Sequence, residues 1–238
     1  MRDGWTFLAL LVATAPASHA QEITLPVRLH IVTDVTIEKR GVPMHSWITA
    51  ADVRDVIIPA VADIWSPAQV SWQIESIRLT AALAPPDRER RLSLIRDARR
   101  DELGKADPRR VRAWKGLIDL RAKRAPGVDV YFVPYLGEAS QGVASRRHRR
   151  VLLGLWTDKP SRGREPPRRV SLIEPEPFRP GSLSRTLAHE LGHVLGLRHP
   201  DMRSQTDLGR LMGGRRPGYR LTSEERTTAR ANAAQLAR

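Results

Sequence analysis

The stretch His189-Glu190-Leu191-Gly192-His193-Val194-Leu195-Gly196-Leu197-Arg198-His199 decides how this chain reads. His189 and His193 are four residues apart, so on an α-helix they project from one face and both imidazoles can reach one cation. Glu190 stands beside the first of them. His199 cannot join them on the same helix, because ten residues at about 1.5 Å each put it about 15 Å further along the axis, against a Zn–N bond of about 2 Å. The helix must therefore end. Gly196 stands where the end is needed, since glycine adopts the left-handed conformation that closes helices without steric penalty. Three histidines then converge on one metal with a carboxylate beside them. In a chain with 7 histidines, His-Glu-x-x-His arises by chance about 0.01 times, and the added glycine and histidine lower this to the order of 10⁻⁵, so the pattern is read as a site.

These residues resemble the signature of the metzincin zinc metallopeptidases, His-Glu-x-x-His-x-x-Gly-x-x-His followed by a methionine-containing turn, and every fixed position is present. The methionine would be Met212, in Leu211-Met212-Gly213-Gly214, thirteen residues beyond His199. Pro200 is similar to the serralysin-like branch, although no glycine-rich calcium-binding repeats follow. Many relatives of that branch carry a tyrosine two residues after the methionine; here that position is Gly214, and the nearest tyrosine is Tyr219. The resemblance spans residues 182 to 214 and is architectural elsewhere. It implies an α/β fold: a single metzincin-like (zincin) catalytic domain with a mixed twisted sheet, an active-site helix and a small C-terminal subdomain. It also implies Zn²⁺ as cofactor on His189, His193 and His199, Glu190 as the catalytic base, and structural roles for Gly196 and Met212.

At the N-terminus, Arg2, the apolar run Trp5 to Ala15 and then Ser18-His19-Ala20 follow the plan of a secretory signal, with cleavage expected after Ala20. About eleven apolar residues are too few to span a hydrocarbon core of about 30 Å, and no other stretch is a transmembrane candidate. The expected location is secreted or periplasmic. The chain has no cysteine, which excludes disulfides and thiolate zinc ligands. A mature chain from Gln21 enters its first strand-like run at Ile23, leaving no room for a pro-segment, so a separate inhibitor is the expected restraint on activity.

Residues 21–238 are enough for one sizeable domain. Leu25 to Val32, Val70 to Leu79, Val128 to Val133 and Val170 to Ile173 read as strands. Asp52 to Trp65 has helical spacing, with Pro59 able to bend it. Ser182 or Ser184 can cap the helix carrying His189, and Thr222 with Glu225 forms a capping box for a last helix to about Ala237. Between residues 85 and 126 lies an insertion rich in arginine, including Arg88, Arg90, Arg91, Arg96, Arg99, Arg100, Arg109, Arg110 and Arg112; Leu92, Leu94, Ile95 and Leu103 make it partly amphipathic. Charge runs of this kind usually solvate a face, so a solvated helical hairpin is expected in preference to a partner-binding arm.

Lys and Arg number 40 against 26 Asp and Glu, a net charge of +14. Acidic partners are favoured, but five of the 40 are lysine and no aromatic-interleaved basic motif is present, so nucleic acid is not required. Arg146, Arg147, Arg149 and Arg150 precede Val151 to Trp156, in the region where metzincin-like enzymes place the edge strand above the cleft; with that placement a substrate could add there as a strand and the rim would favour acidic side chains, and the alternative that stays open is a solvated turn. His30, His45 and His148 lack ligand spacing. The expected function is endopeptidase action, hydrolysis of internal bonds of a protein or peptide substrate by Glu190-assisted attack of zinc-bound water. Two alternatives stay open: a zinc hydrolase of cell-wall or other amide bonds, and a non-catalytic basic binding module.

Overall fold

Leu25, Val27, Leu29 and Ile31 alternate with Pro26, Arg28 and His30, which gives β1 (Ile23–Thr33) one apolar face and one mixed face. The computed structural model describes residues 21–97, 108–118, 126–137, 141–158, 166–173, 182–200, 209–213 and 218–238. The signal-like segment 1–20, Gly214 and the insertion's Arg99, Arg100 and Leu103 lie outside them. A hairpin of β2 (Ile37–Lys39) and β3 (Val42–Met44) follows β1, and β1 pairs in parallel with both β4 (Val70–Ala81) and β5 (Val128–Tyr135). Every residue of β5 is buried, as expected for a parallel strand covered on both faces. β7 (Arg150–Thr157) continues in parallel beside β5, and β6 (Gly142–Ser145) pairs antiparallel with β7, giving a mixed sheet of order β4-β1-β5-β7-β6. The short β8 (Arg168–Arg169) also pairs with β7, at Trp156 and Thr157.

Val151–Trp156 is therefore not the edge. It lies inside the sheet, and the edge on its side is Gly142–Ser145, a strand too short to announce itself in the sequence. Val170 to Ile173 is not a strand either. Val170 donates one bond to Leu155 O, after which the carbonyls of Ser171 and Leu172 accept the first N–H groups of the helix carrying His189, so capping takes the groups that pairing would need.

The expected helix at Asp52 begins as a π-helical stretch, Asp52–Ile57, and becomes α1 (Ile58–Trp65) just before Pro59. Proline lacks an N–H and its ring crowds the carbonyl four residues back; the wider π turn, in which Ile58 N–H reaches Val53 O, accommodates it without a break. α4 (Leu183–Val194) packs beside α1 on the face of the sheet formed by Leu25, Val27 and Leu29, and α5 (Ser223–Leu236) joins the same cluster through Ala229 and Ala233. The capping box at Thr222 and Glu225 is present.

On the opposite face lie α2 (Arg88–Arg96) and α3 (Pro108–Lys115), the described parts of the insertion. They do not form a solvated hairpin. Ile95, Trp114, Leu117 and Ile118 are buried against Tyr131, Val133 and Tyr135 of β5, Trp114 Nε1 donates to Tyr135 O at 3.0 Å, and even Arg110 is fully buried. An insertion rich in charge thus supplies the second half of the core, because its few apolar side chains share one side. No helix among the described residues is long and apolar enough to cross a membrane.

Candidate metal centre

Ser182 opens α4: its Oγ accepts the N–H of Arg185 at 3.2 Å, while Ser184 sits inside the first turn. Twelve residues later the helix ends in a Schellman arrangement, with Gly196 N–H bonded to His193 O, Leu197 N–H to Gly192 O, and Gly196 at φ +82°. The chain then turns back and brings His199 to the first two histidines. His199 Nε2 lies 3.0 Å from His189 Nε2 and 3.1 Å from His193 Nε2. Among the described residues this is the one group of three side chains able to share a metal ion.

The far side of each helical imidazole fixes its tautomer. His189 Nδ1 is 2.7 Å from Leu211 O and His193 Nδ1 is 2.9 Å from Leu197 O. A carbonyl only accepts, so both Nδ1 atoms carry the proton and both Nε2 atoms present lone pairs to the same point. Lone pairs cannot bond one another, and a proton on His199 Nε2 could serve only one of them. A tetrahedral Zn²⁺ with Zn–N of about 2.0–2.1 Å separates its nitrogens by about 3.3–3.4 Å, a few tenths of an ångström more than is found, so these residues fit the ion. His189 is buried, His193 half-buried and His199 exposed, which leaves one side of the cluster open. Burial first, and then the nearby Arg185 guanidinium, push His189 down to about 3; burial also lowers His193 and His199, so all three are neutral, as ligands must be.

Glu190 points to the edge strand. Its carboxylate accepts the Ala144 N–H, and it lies so close to Gly142 that a Cβ there would stand 2.6 Å from its Cγ. Burial pushes Glu190 up to about 8 in the metal-free chain, against the opposing pull of Arg185, the Ala144 amide and Arg110. Gly154 N–H donates to Gln141 O, and bonded pairs alternate in an antiparallel ladder, so Val143 and Ser145 also bond inward to β7 while Gly142 and Ala144 turn their backbone groups outward.

Met212 is fully buried beneath α4, and a Cβ on Gly192 would meet its Sδ at 2.7 Å. The same loop supplies Leu211 O to His189 and is held by Arg185, whose Nη2 donates to Leu211 O at 2.9 Å and whose Nε donates to Gly218 O at 3.3 Å. Tyr219 lines a different concavity with Asp63, Ile64, Pro67 and Leu221, to which none of the three histidines contributes. His30 is engaged with Asp129 and Thr80, His45 faces Trp156, and His148 is exposed on the β6–β7 turn. Sequence reasoning missed Gly142, Ala144, Arg185 and Gly192. Only Gly192, a glycine inside a helix, left a signal that could have found it.

No family model matches the chain, and no curated protein matches it. Among solved structures it is similar to archaemetzincin from Methanopyrus kandleri, at 15% identity over 92% of this chain and 99% of that one, with a TM-score of 0.45. It is also similar to a chain from a chaperone–substrate complex, at 13% identity over 92% of this chain and 35% of that one, with a TM-score of 0.43. A zinc-dependent peptidase from Methanocorpusculum labreanum is similar at 12% identity over 85% of this chain and 99% of that one, with a TM-score of 0.37.

Proposed function

We propose that this chain is an exported zinc-dependent endopeptidase of metzincin type, with residues 21–238 forming the catalytic unit. The observation that carries the reading is the convergence of three Nε2 atoms, those of His189 and His193 lying 3.0 and 3.1 Å from that of His199, beside a carboxylate held by the outward edge of β6. His189, His193 and His199 would hold zinc, which supplies Lewis-acid activation of a water and of a scissile carbonyl. Glu190 takes the attacking water's proton on its carboxylate and passes it to the leaving amine. The Ala144 amide orients that carboxylate, Leu211 O holds His189 through its Nδ1, and Met212 packs beneath α4 against Gly192. Arg185 keeps the loop in place.

A peptide substrate is supported by the backbone groups that Gly142 turns outward together with the outward carbonyl of Ala144, to which an extended chain can add. Export is supported by the signal-like pattern of residues 1–20, and with no cysteine in the chain the restraint is assigned to a separate inhibitor. The test offers protein starting at Gln21 a peptide library, a casein-like protein and purified wall material, each with and without chelator. Chelator-sensitive cleavage of the peptides and protein supports the reading; hydrolysis of wall material alone replaces the substrate class, and no hydrolysis by zinc-loaded protein overturns it.

A further inference from the structure

The turn between β6 and β7 sets a run of positive charge against the site. Arg146, Arg147 and His148 are exposed, Arg149 and Arg150 half-buried, and Arg149 closes the turn at φ +50°. Among the described residues no carboxylate pairs with any of these four arginines. Arg146 donates to Asn232 Oδ1 at 3.3 Å, and among the described residues ion pairs are found elsewhere, for example on Arg28, Lys39, Arg91, Arg96 and Arg210. Uncompensated charge held on a folded turn is available to a ligand.

Two contacts fix where the turn stands. Ala144, two residues before Arg146, bonds Glu190. Arg146 itself lies over Gly196, between the second and third histidines: a Cβ on Gly196 would be 2.9 Å from its Cζ. A chain extended along β6 with its reacting bond beside Glu190 advances about 3.3 Å per residue, so residues two to four places away lie about 7–13 Å along, beside Arg146 and Arg147. β6 runs from Gly142 towards Arg146. A chain added in the more stable antiparallel sense runs the other way and brings the residues before its reacting bond to the arginine end.

We propose that this turn is a specificity element, selecting polypeptides with aspartate or glutamate two to four residues N-terminal to the cleaved bond. The inference rests on the peptidase reading. Each exposed pair of opposite charges is worth a factor of about 1.5 to 5, so two or three acting together give about tenfold at low salt. That preference shrinks as the screening length falls below about 10 Å.

Paired peptides carrying Asp or Glu, or the isosteric Asn or Gln, at those positions are compared by kcat/KM at two ionic strengths, on wild type and on Arg147→Glu and Arg147→Lys. The expected result is about tenfold preference for the acids with wild type, reduced by added salt, kept by Arg147→Lys and lost or reversed in Arg147→Glu. Equal cleavage of acid and amide peptides, or a preference confined to the C-terminal side, overturns the proposal while leaving the peptidase reading standing. Zinc-loaded wild type that cleaves no peptide overturns both.

Discussion

Gly142 and Glu190 approach so closely that the smallest addition tests whether β6 fixes the base. A Cβ at residue 142 would stand 2.6 Å from Glu190 Cγ, 2.7 Å from Oε1 and 2.9 Å from Cδ. Carbon atoms in contact settle at about 3.5–4.0 Å, so Gly142→Ala requires a shift of about 1 Å. Little of it can come from α4, whose Leu187, Leu191 and Val194 are fully buried, so the Glu190 side chain moves. Misplacing a reacting group by about 1 Å costs about 10²-fold, or about 2.7 kcal/mol on the barrier at about 1.36 kcal/mol per tenfold. The assay is kcat/KM on a quenched fluorescent peptide, with bound zinc measured on the same sample. The expected variant keeps wild-type zinc and loses about 100-fold in rate. Wild-type turnover by fully zinc-loaded Gly142→Ala would refute the reasoning, since the carboxylate would then have room the structure denies it.

Three further predictions follow from the packing around the site and behind it. Arg185→Met releases Leu211 O and Gly218 O from the guanidinium, and outer partners of metal ligands typically matter about 10–100-fold in metal affinity; chelator competition should read a loss of that size, and unaltered affinity would show that the loop holds itself. Trp114→Ala should lower stability by about 3–5 kcal/mol in denaturant melts, because the ring is fully buried on the back of the sheet, whereas a change under about 0.5 kcal/mol would return the insertion to a solvated arm. Burial pushes the Asp129 carboxyl up, but hydrogen bonds from His30 and Arg28 outweigh it and bring the group down from 3.8 to about 2. The folded state therefore gains about 2 kcal/mol that is fully present above pH 3.8 and lost as pH falls through about 2, and Asp129→Asn should flatten the pH dependence of urea midpoints in that window; an unchanged slope contradicts the assignment.

The parts of the fold legible in the sequence were those written in local terms. β1 and β4 show apolar residues at strand spacing, β5 shows the continuous run of a doubly covered strand, and the helix ends at Ser182, Gly196 and Thr222 show capping chemistry. The grouping of His189, His193 and His199 was legible for the same reason, since helical periodicity and one glycine determine it. What escaped was set by partners distant in sequence. Gly142 is glycine because Glu190 lies against it, and Gly192 because Met212 does; neither neighbour is visible along the chain. Trp114, Leu117 and Ile118 were hidden among arginines, and their burial follows from the uncovered back face of β5. β6 was missed because four residues carry too little alternation to separate a strand from a loop, and with it the true edge of the sheet went unseen.

The most direct test of the central claim measures turnover and bound zinc together on Glu190→Gln beside wild type. The variant keeps the three Nε2 atoms, and the bonds of His189 Nδ1 to Leu211 O and of His193 Nδ1 to Leu197 O, but loses the group that takes a proton. The expected result is the same zinc content in both proteins, chelator-sensitive cleavage by wild type and none by the variant. Equal cleavage by the two, or wild-type protein that takes up no zinc, would contradict it.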